Sequence, residues 1–194
     1  MYYYRLQALN SVYGILEVDT YKLIDAYHDD IFDELRTSIN PIGKYWPKCH
    51  GVFYDMTTTD SQVMSDTPDI FIWNNTSLVL SPRALKLLEN ILESFGELLP
   101  FDHNGEQFHL FVVHAIAEAD FSKSEKMYDE FGEIGVKHLD FYPESVGSKS
   151  IFKSNFDHYR HLYCTQEFRD ICIQNNLKGM NFTDKLNSRI GETM

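Results

Sequence analysis

The side chains with the clearest chemical potential are the histidines, the cysteines and the acids beside them. His158 and His161 stand three apart in Asp157-His158-Tyr159-Arg160-His161. On a helix, that spacing would let two imidazoles share a metal ion. No carboxylate pattern supports them, so an exposed loop ahead of a strand is the competing reading. Cys49-His50 is the only Cys/His adjacency, whereas structural zinc takes four ligands in paired short spacings. No metal site is therefore expected. Asp102-His103 joins an acid to a base, but at a hairpin tip, a poor place for a buried general base. His109 and His114 lie five apart on one strand and point to opposite faces. Cys164 and Cys172 read as small buried hydrophobes.

Larger motifs add nothing catalytic. The chain has no glycine-rich phosphate loop, no GxSxG elbow and no HExxH pair, and its 10 glycines are scattered. The expectation is a protein without catalytic residues, cofactor or metal.

The elements that would position any site are more legible. Leu78–Leu80 reads as a buried strand, Ser81 as a helix cap and Pro82 as a first helical residue. Ala84, Leu85, Leu87, Leu88, Ile91, Leu92 and Phe95 fall on one arc at about 100° per residue, with Lys86, Glu89, Asn90 and Glu93 opposite. Gly96 is placed to end this helix in a left-handed conformation. Leu98–Phe101 is a strand, Asn104-Gly105 a tight turn and Phe108–His114 the returning strand, apolar enough for burial on both faces. Ser122-x-x-Glu125 matches a capping box and predicts a short helix to Gly132.

Further strands are expected at Tyr2–Leu6, Val12–Val18, Val52–Tyr54, Ile70–Trp73, Ile134–Phe141, His161–Cys164 and Met180–Phe182. A helical face at Phe168, Ile171 and Cys172 lies between the last two, and the tail from Asn187 reads as frayed. No Gly/Ser- or Pro-rich linker divides the chain. These signals give one α+β domain over 1–194, a mixed, largely antiparallel sheet or sheets covered by a few amphipathic helices. Residues 1–68 are a candidate N-terminal lobe and 69–186 the main part.

Charge narrows the partners. Against 17 Lys and Arg stand 29 Asp and Glu, a net charge of −12 over 194 residues. Phosphate binding needs a basic face, so neither nucleic acid nor an anionic membrane is expected. The N-terminal residues lack the apolar core of a signal peptide, and no apolar run reaches the roughly 18 residues that span a bilayer. Three cysteines make an odd count, read as reduced thiols in a cytoplasmic protein.

The acids also show a pattern. From Thr20 to Ile39 the spacing predicts one amphipathic helix, with Leu23, Ile24, Tyr27, Ile31 and Leu35 on its apolar face. Asp25, Asp29 and Asp33 line the other side at steps of four, flanked by Asp30 and Glu34. Like charges at that spacing cost a few tenths of a kcal/mol each. Such a stripe is either a solvated face or a surface for a basic partner.

The order of pieces from Asp69 onward resembles a family of bacterial immunity proteins from polymorphic toxin systems, long known only as a domain of unknown function. The resemblance rests on Asp69-Ile70, on Ser81 with Arg83 in LVLSPRALKLLE, and on ELLPF. It continues through a glycine-containing hairpin into FHLFVV, Asp120 and Ser122, SIFK, Phe168-Arg169-Asp170, and Gly179 with Phe182. It covers about residues 69–183, mostly at core and capping positions, and carries over no catalytic residue. It implies a non-catalytic cytoplasmic protein that binds a cognate toxin domain and blocks it. An acidic surface would steer to the cationic face of a toxin that cuts nucleic acid. An interaction module without a toxin and a hydrolase-type enzyme are the competing classes.

Overall fold

The computed structural model describes residues 2–28, 30–55 and 62–190. The first part runs β1 (Tyr3–Ala8), α1 (Asn10–Tyr13), β2 (Ile15–Val18), α2 (Thr20–Tyr27), α3 (Ile31–Thr37), β3 (Cys49–Asp55) and β4 (Gln62–Val63). Next come β5 (Ile70–Trp73), β6 (Ser77–Leu80), α4 (Pro82–Leu92), β7 (Gly96–His103) and β8 (Glu106–Val113). The last part holds β9 (Glu125–Asp129), β10 (Gly132–His138), α5 (Pro143–Val146), β11 (Ile151–Phe152), β12 (Tyr163–Thr165), α6 (Gln166–Gln174), β13 (Met180–Thr183) and β14 (Ser188–Arg189).

The fold is α+β. A seven-stranded sheet has the order β2-β3-β7-β8-β6-β5, with β4 also on β3. A four-stranded sheet runs β11-β12-β1-β13 and a three-stranded one β14-β10-β9. Among the described strand pairs only β3–β7 is parallel. Strand β1 lies between β12 and β13, while β3 joins β7, so strands of the first 68 residues pair with strands of the remainder. No helix among the described residues is long and apolar enough to cross a membrane.

Strict alternation sorts the central strands into two cores. Ile70, Ile72, Leu78, Leu80, Phe111 and Val113 point to one side of the large sheet, where Leu88 and Leu92 of α4 and Phe168 and Cys172 of α6 cover them. Phe71, Trp73, Val79, Leu110 and Val112 point to the other, against Leu23 of α2 and Ile31 and Leu35 of α3. Strands buried on both faces need apolar residues at every position, which is why their sequences read as continuous apolar runs. The four-stranded sheet works alike. Leu6 and Cys164 face the first core, and Tyr3 and Tyr163 face a third, aromatic core with Phe141 and Phe152.

The organising helix forms as its sequence demands. Ser81 Oγ accepts the Ala84 N–H at 3.2 Å, Pro82 opens the helix, and Ala84, Leu88 and Leu92 are buried. Gly96 does not end the helix in a left-handed conformation. It opens β7, where a Cβ would lie 2.1 Å from the Val112 carbonyl oxygen, so close approach of two strands requires it. The β7–β8 turn is as expected, with Asn104 and Gly105 at φ of 53° and 83°.

Four local expectations are corrected. The segment after Ser122 is a β9–β10 hairpin, not a helix. Asp120 takes both the N–H and the hydroxyl of Ser122, and Lys126–Glu133 (2.7 Å) and Lys137–Glu125 (3.1 Å) bridge the strands. Its Phe131 is 90% exposed, so no core holds a helical face there. Val12–Val18 divides into the end of α1 and β2. PESV, expected as loop, is the short helix α5. The tail is not frayed from Asn187, because β14 pairs with β10 and buries Ser188.

Candidate functional site

The ten residues between β11 and β12 form a loop tied down by several long-range contacts. His158 and Tyr159 are consecutive left-handed residues, at φ of 59° and 57°. Each such non-glycine residue costs about 1–3 kcal/mol unless its surroundings hold it. They do so from three sides. Arg36 of α3 donates through Nη1 to the His158 carbonyl at 2.7 Å. The His158 imidazole Nε2 sits 3.1 Å from Glu133 Oε1, on the β9–β10 hairpin. Tyr159 N–H bonds back to Ser154 O at 2.9 Å.

Under this loop lies a polar knot. Asp157 Oδ2 accepts the Tyr163 hydroxyl at 2.7 Å and lies 2.9 Å from His161 Nδ1. Asp157, His161 and Tyr163 are all buried. Burial, then the Asp157 carboxylate, pushes the Tyr163 hydroxyl well above its ordinary pKa, so it stays a donor. Asp–His is the geometry that orients a catalytic base. Here it ties loop to strand beneath the surface. His161 does not open the strand, which begins at Tyr163, but lies buried at the end of the loop, and the His158–His161 pair does not converge: His158 turns to Glu133 and His161 to Asp157. The Asp157-to-His161 step of four is the sequence signal for this pair.

Lys153 binds the loop to α3. It is fully buried, and its Nζ donates to Arg36 O and Ser38 O, both at 2.8 Å, capping the C-terminal carbonyls of α3. Burial, then the Arg36 guanidinium, pulls its pKa down to about 8.

The expected acidic face sits beside this loop but is not one stripe. The helix breaks at His28, whose φ of 65° is not helical, so the step-of-four register does not carry from α2 to α3. Near the break Tyr27 Oη donates to Ile42 O at 2.7 Å, and Leu23 of α2 and Ile31 and Leu35 of α3 enter one core. Like-charge repulsion along a continuous helix favours such a break. Asp25, Asp30, Asp33 and Glu34 are exposed, and Asp29 lies outside the described residues. Asp33 pairs with Arg36 at 2.8 Å. A ribbon of polar contacts thus runs Asp33–Arg36–His158–Glu133–Lys126 across three elements. In the first turn of α3, Asp33 and Glu34 also favour the helix dipole, a structural reason for their presence.

The remaining candidates resolve as follows. His103 is buried, not at an exposed tip. Its Nδ1 lies 2.8 Å from Gly51 O and Nε2 3.0 Å from Thr67 Oγ1, with Phe53 and Phe108 around the ring. All three thiols are buried. Burial raises Cys49 to about 11 and Cys172 to about 12, and pushes Cys164 well up, so none is a thiolate at neutral pH. Among the described residues no group of three His, Cys, Asp or Glu is placed to hold a metal ion.

One open cleft of about 450 Å³ lies between Trp46-Pro47 and Pro100-Phe101. Trp46 Nε1 donates to Pro100 O at 2.9 Å and fixes one wall. Asp102 and His50 stand on the lining, with Asp102 Oδ1 3.3 Å from His50 Nδ1. The sequence offered no signal for it, because its walls come from residues some fifty positions apart.

The chain matches no protein-family model and no curated protein sequence.

Proposed function

We propose that the chain is a non-catalytic immunity protein that binds and neutralises a cognate bacterial toxin domain of basic character, in the cytoplasm. The observation that carries the reading is the net charge of −12 together with the exposure of Asp25, Asp30, Asp33 and Glu34 along α2 and α3. A surface of that sign steers toward a cationic protein face and competes with phosphate for it. The family resemblance over about residues 69–183 points the same way. Its positions do framework tasks: Ser81 caps α4, Arg83 pairs with Asp69 at 2.8 Å, and Gly179 lies where a Cβ would meet Ile70 O at 2.2 Å. The chemically able side chains also support inhibition rather than catalysis. The thiols are protonated and buried, and the Asp–His pair is spent on a hydroxyl of the core.

The experiment is affinity capture on the tagged protein followed by mass spectrometry, then co-expression with the captured partner. The reading expects one basic protein whose toxicity the chain suppresses. Capture of no protein, or of one whose toxicity is unchanged, overturns it.

A further inference from the structure

We infer that the cleft between Trp46 and Pro100 receives an arginine side chain of a basic protein partner. The inference rests on the partner being basic, as proposed above, and adds where and by what chemistry it is held.

The walls are apolar and rigid. Trp46 is tied to Pro100 through its indole N–H, Pro47 and Pro100 have fixed rings, and Phe101 is buried behind them. Such a trough suits the aliphatic stem of a long side chain, and the flat indole suits a planar cation. The carboxylate of Asp102 stands on the same lining with its side chain 43% exposed. Its Oδ1 is engaged by His50 Nδ1 and by the Gly105 N–H at 3.2 Å. Its Oδ2 makes no hydrogen bond or ion pair among the described residues, which leaves one anionic acceptor on a residue of this lining.

Charge and shape together narrow the occupant. A carboxylate ligand would meet Asp102 and a protein of net charge −12. An uncharged apolar ligand would leave Asp102 desolvated beside it. Locally Lys48 offsets Asp102, and Lys22 pairs with Asp19 at 2.7 Å, so the attraction for a cation rests on the net charge of −12 and on the half-exposed Asp102 carboxylate. Arginine is favoured over lysine because a guanidinium is planar, stacks on an indole and is less strongly hydrated than an ammonium. A buried arginine in an aromatic pocket with a carboxylate is also the kind of contact that dominates protein interfaces.

The test uses the full chain and N-acetyl-arginine amide as probe, read by the Trp46 indole N–H resonance, assigned with Trp46→Phe. The expected result is a saturable shift of Trp46 and not of buried Trp73. Asp102→Asn should weaken it by about tenfold, since the charge is lost while the acceptor for Gly105 N–H is kept. N-acetyl-citrulline amide, the uncharged isostere, should produce no saturable shift on the unaltered protein, which decides the matter without any variant. No saturable shift with arginine, an equal response to citrulline, or an equal affinity in folded Asp102→Asn overturns the inference. No toxin enters this titration, so its failure removes the cleft alone, whereas failure of the capture experiment removes the immunity reading and the basic partner with it, and leaves only arginine binding at the cleft standing.

Discussion

The ammonium of Lys153 and the backbone carbonyl of Arg36 meet at 2.8 Å, 117 residues apart in sequence. This contact, repeated on Ser38 O, docks α3 onto the loop that follows β11. A buried cation without a paired carboxylate is costly. It persists here because two helix-end carbonyls would otherwise lack donors. The acidic helix and the strained loop are therefore one mechanical unit.

Its pH response follows. Lys153 titrates near 8 when folded against an ordinary 10.5, so between these values the unfolded chain holds the proton that the folded chain has lost. Stability rises with pH wherever the unfolded state binds more protons. The contribution of Lys153 is therefore lowest below about pH 8 and grows toward 10.5. The raised tyrosine and cysteine groups act in the opposite sense, so the comparison needs Lys153→Met. Urea unfolding at pH 7.5 and 9.5 should show the stability difference between the two proteins growing by about 2 kcal/mol in favour of the parent. A constant difference would mean the amine is not displaced from its ordinary range.

The knot beneath the loop predicts non-additivity. Asp157→Ala should cost about 2–4 kcal/mol, because it leaves the Tyr163 hydroxyl and His161 Nδ1 buried without their acceptor. Tyr163→Phe removes one donor and should cost about 1 kcal/mol. The double variant should fall short of the sum by about 0.5–3 kcal/mol, as residues sharing a bond do. Additive losses in chemical denaturation would show that the bond does not form.

Reversing the exposed acids separates binding from folding. Asp25→Lys, Asp30→Lys and Glu34→Lys remove no side-chain hydrogen bond or ion pair seen among the described residues, and the Asp33–Arg36 pair is a surface one worth about 0–1 kcal/mol. Melting temperatures should stay close to the parent, while affinity for the captured partner falls by about tenfold or more and loses salt dependence. Unchanged affinity at all four positions would take α2 and α3 out of the interface.

The thiols give an inexpensive check on the cores. Cys49, Cys164 and Cys172 are buried and protonated, so an aromatic disulfide reagent should label none of them in native buffer within minutes and all three in guanidinium. Rapid native labelling of Cys164 would contradict its place on β12, between β1 and β11 and facing the first core.

Helix α4 tests the local rules. Ser81→Ala removes the acceptor of the Ala84 N–H and should cost about 1 kcal/mol in chemical denaturation. A larger cap effect at Thr165 is not expected, since its side chain makes no cap bond to α6.

What the sequence determined by itself is the short-range part. Ser81-Pro82 started a helix, Asn104-Gly105 turned a hairpin, and the alternation in Ile70–Trp73 and in Leu110–Val113 already divided its residues between two cores. Each depends on dihedral preference or periodicity within one or two turns of chain. Tertiary structure decided the rest. It broke the helix at His28, made a hairpin of the segment after Ser122, set β1 between two C-terminal strands, and closed Lys153, Asp157 and Asp102 into their surroundings. Those outcomes turn on which distant group satisfies a buried polar atom or fills a core face, and such partners leave no mark on the local spacing of residues.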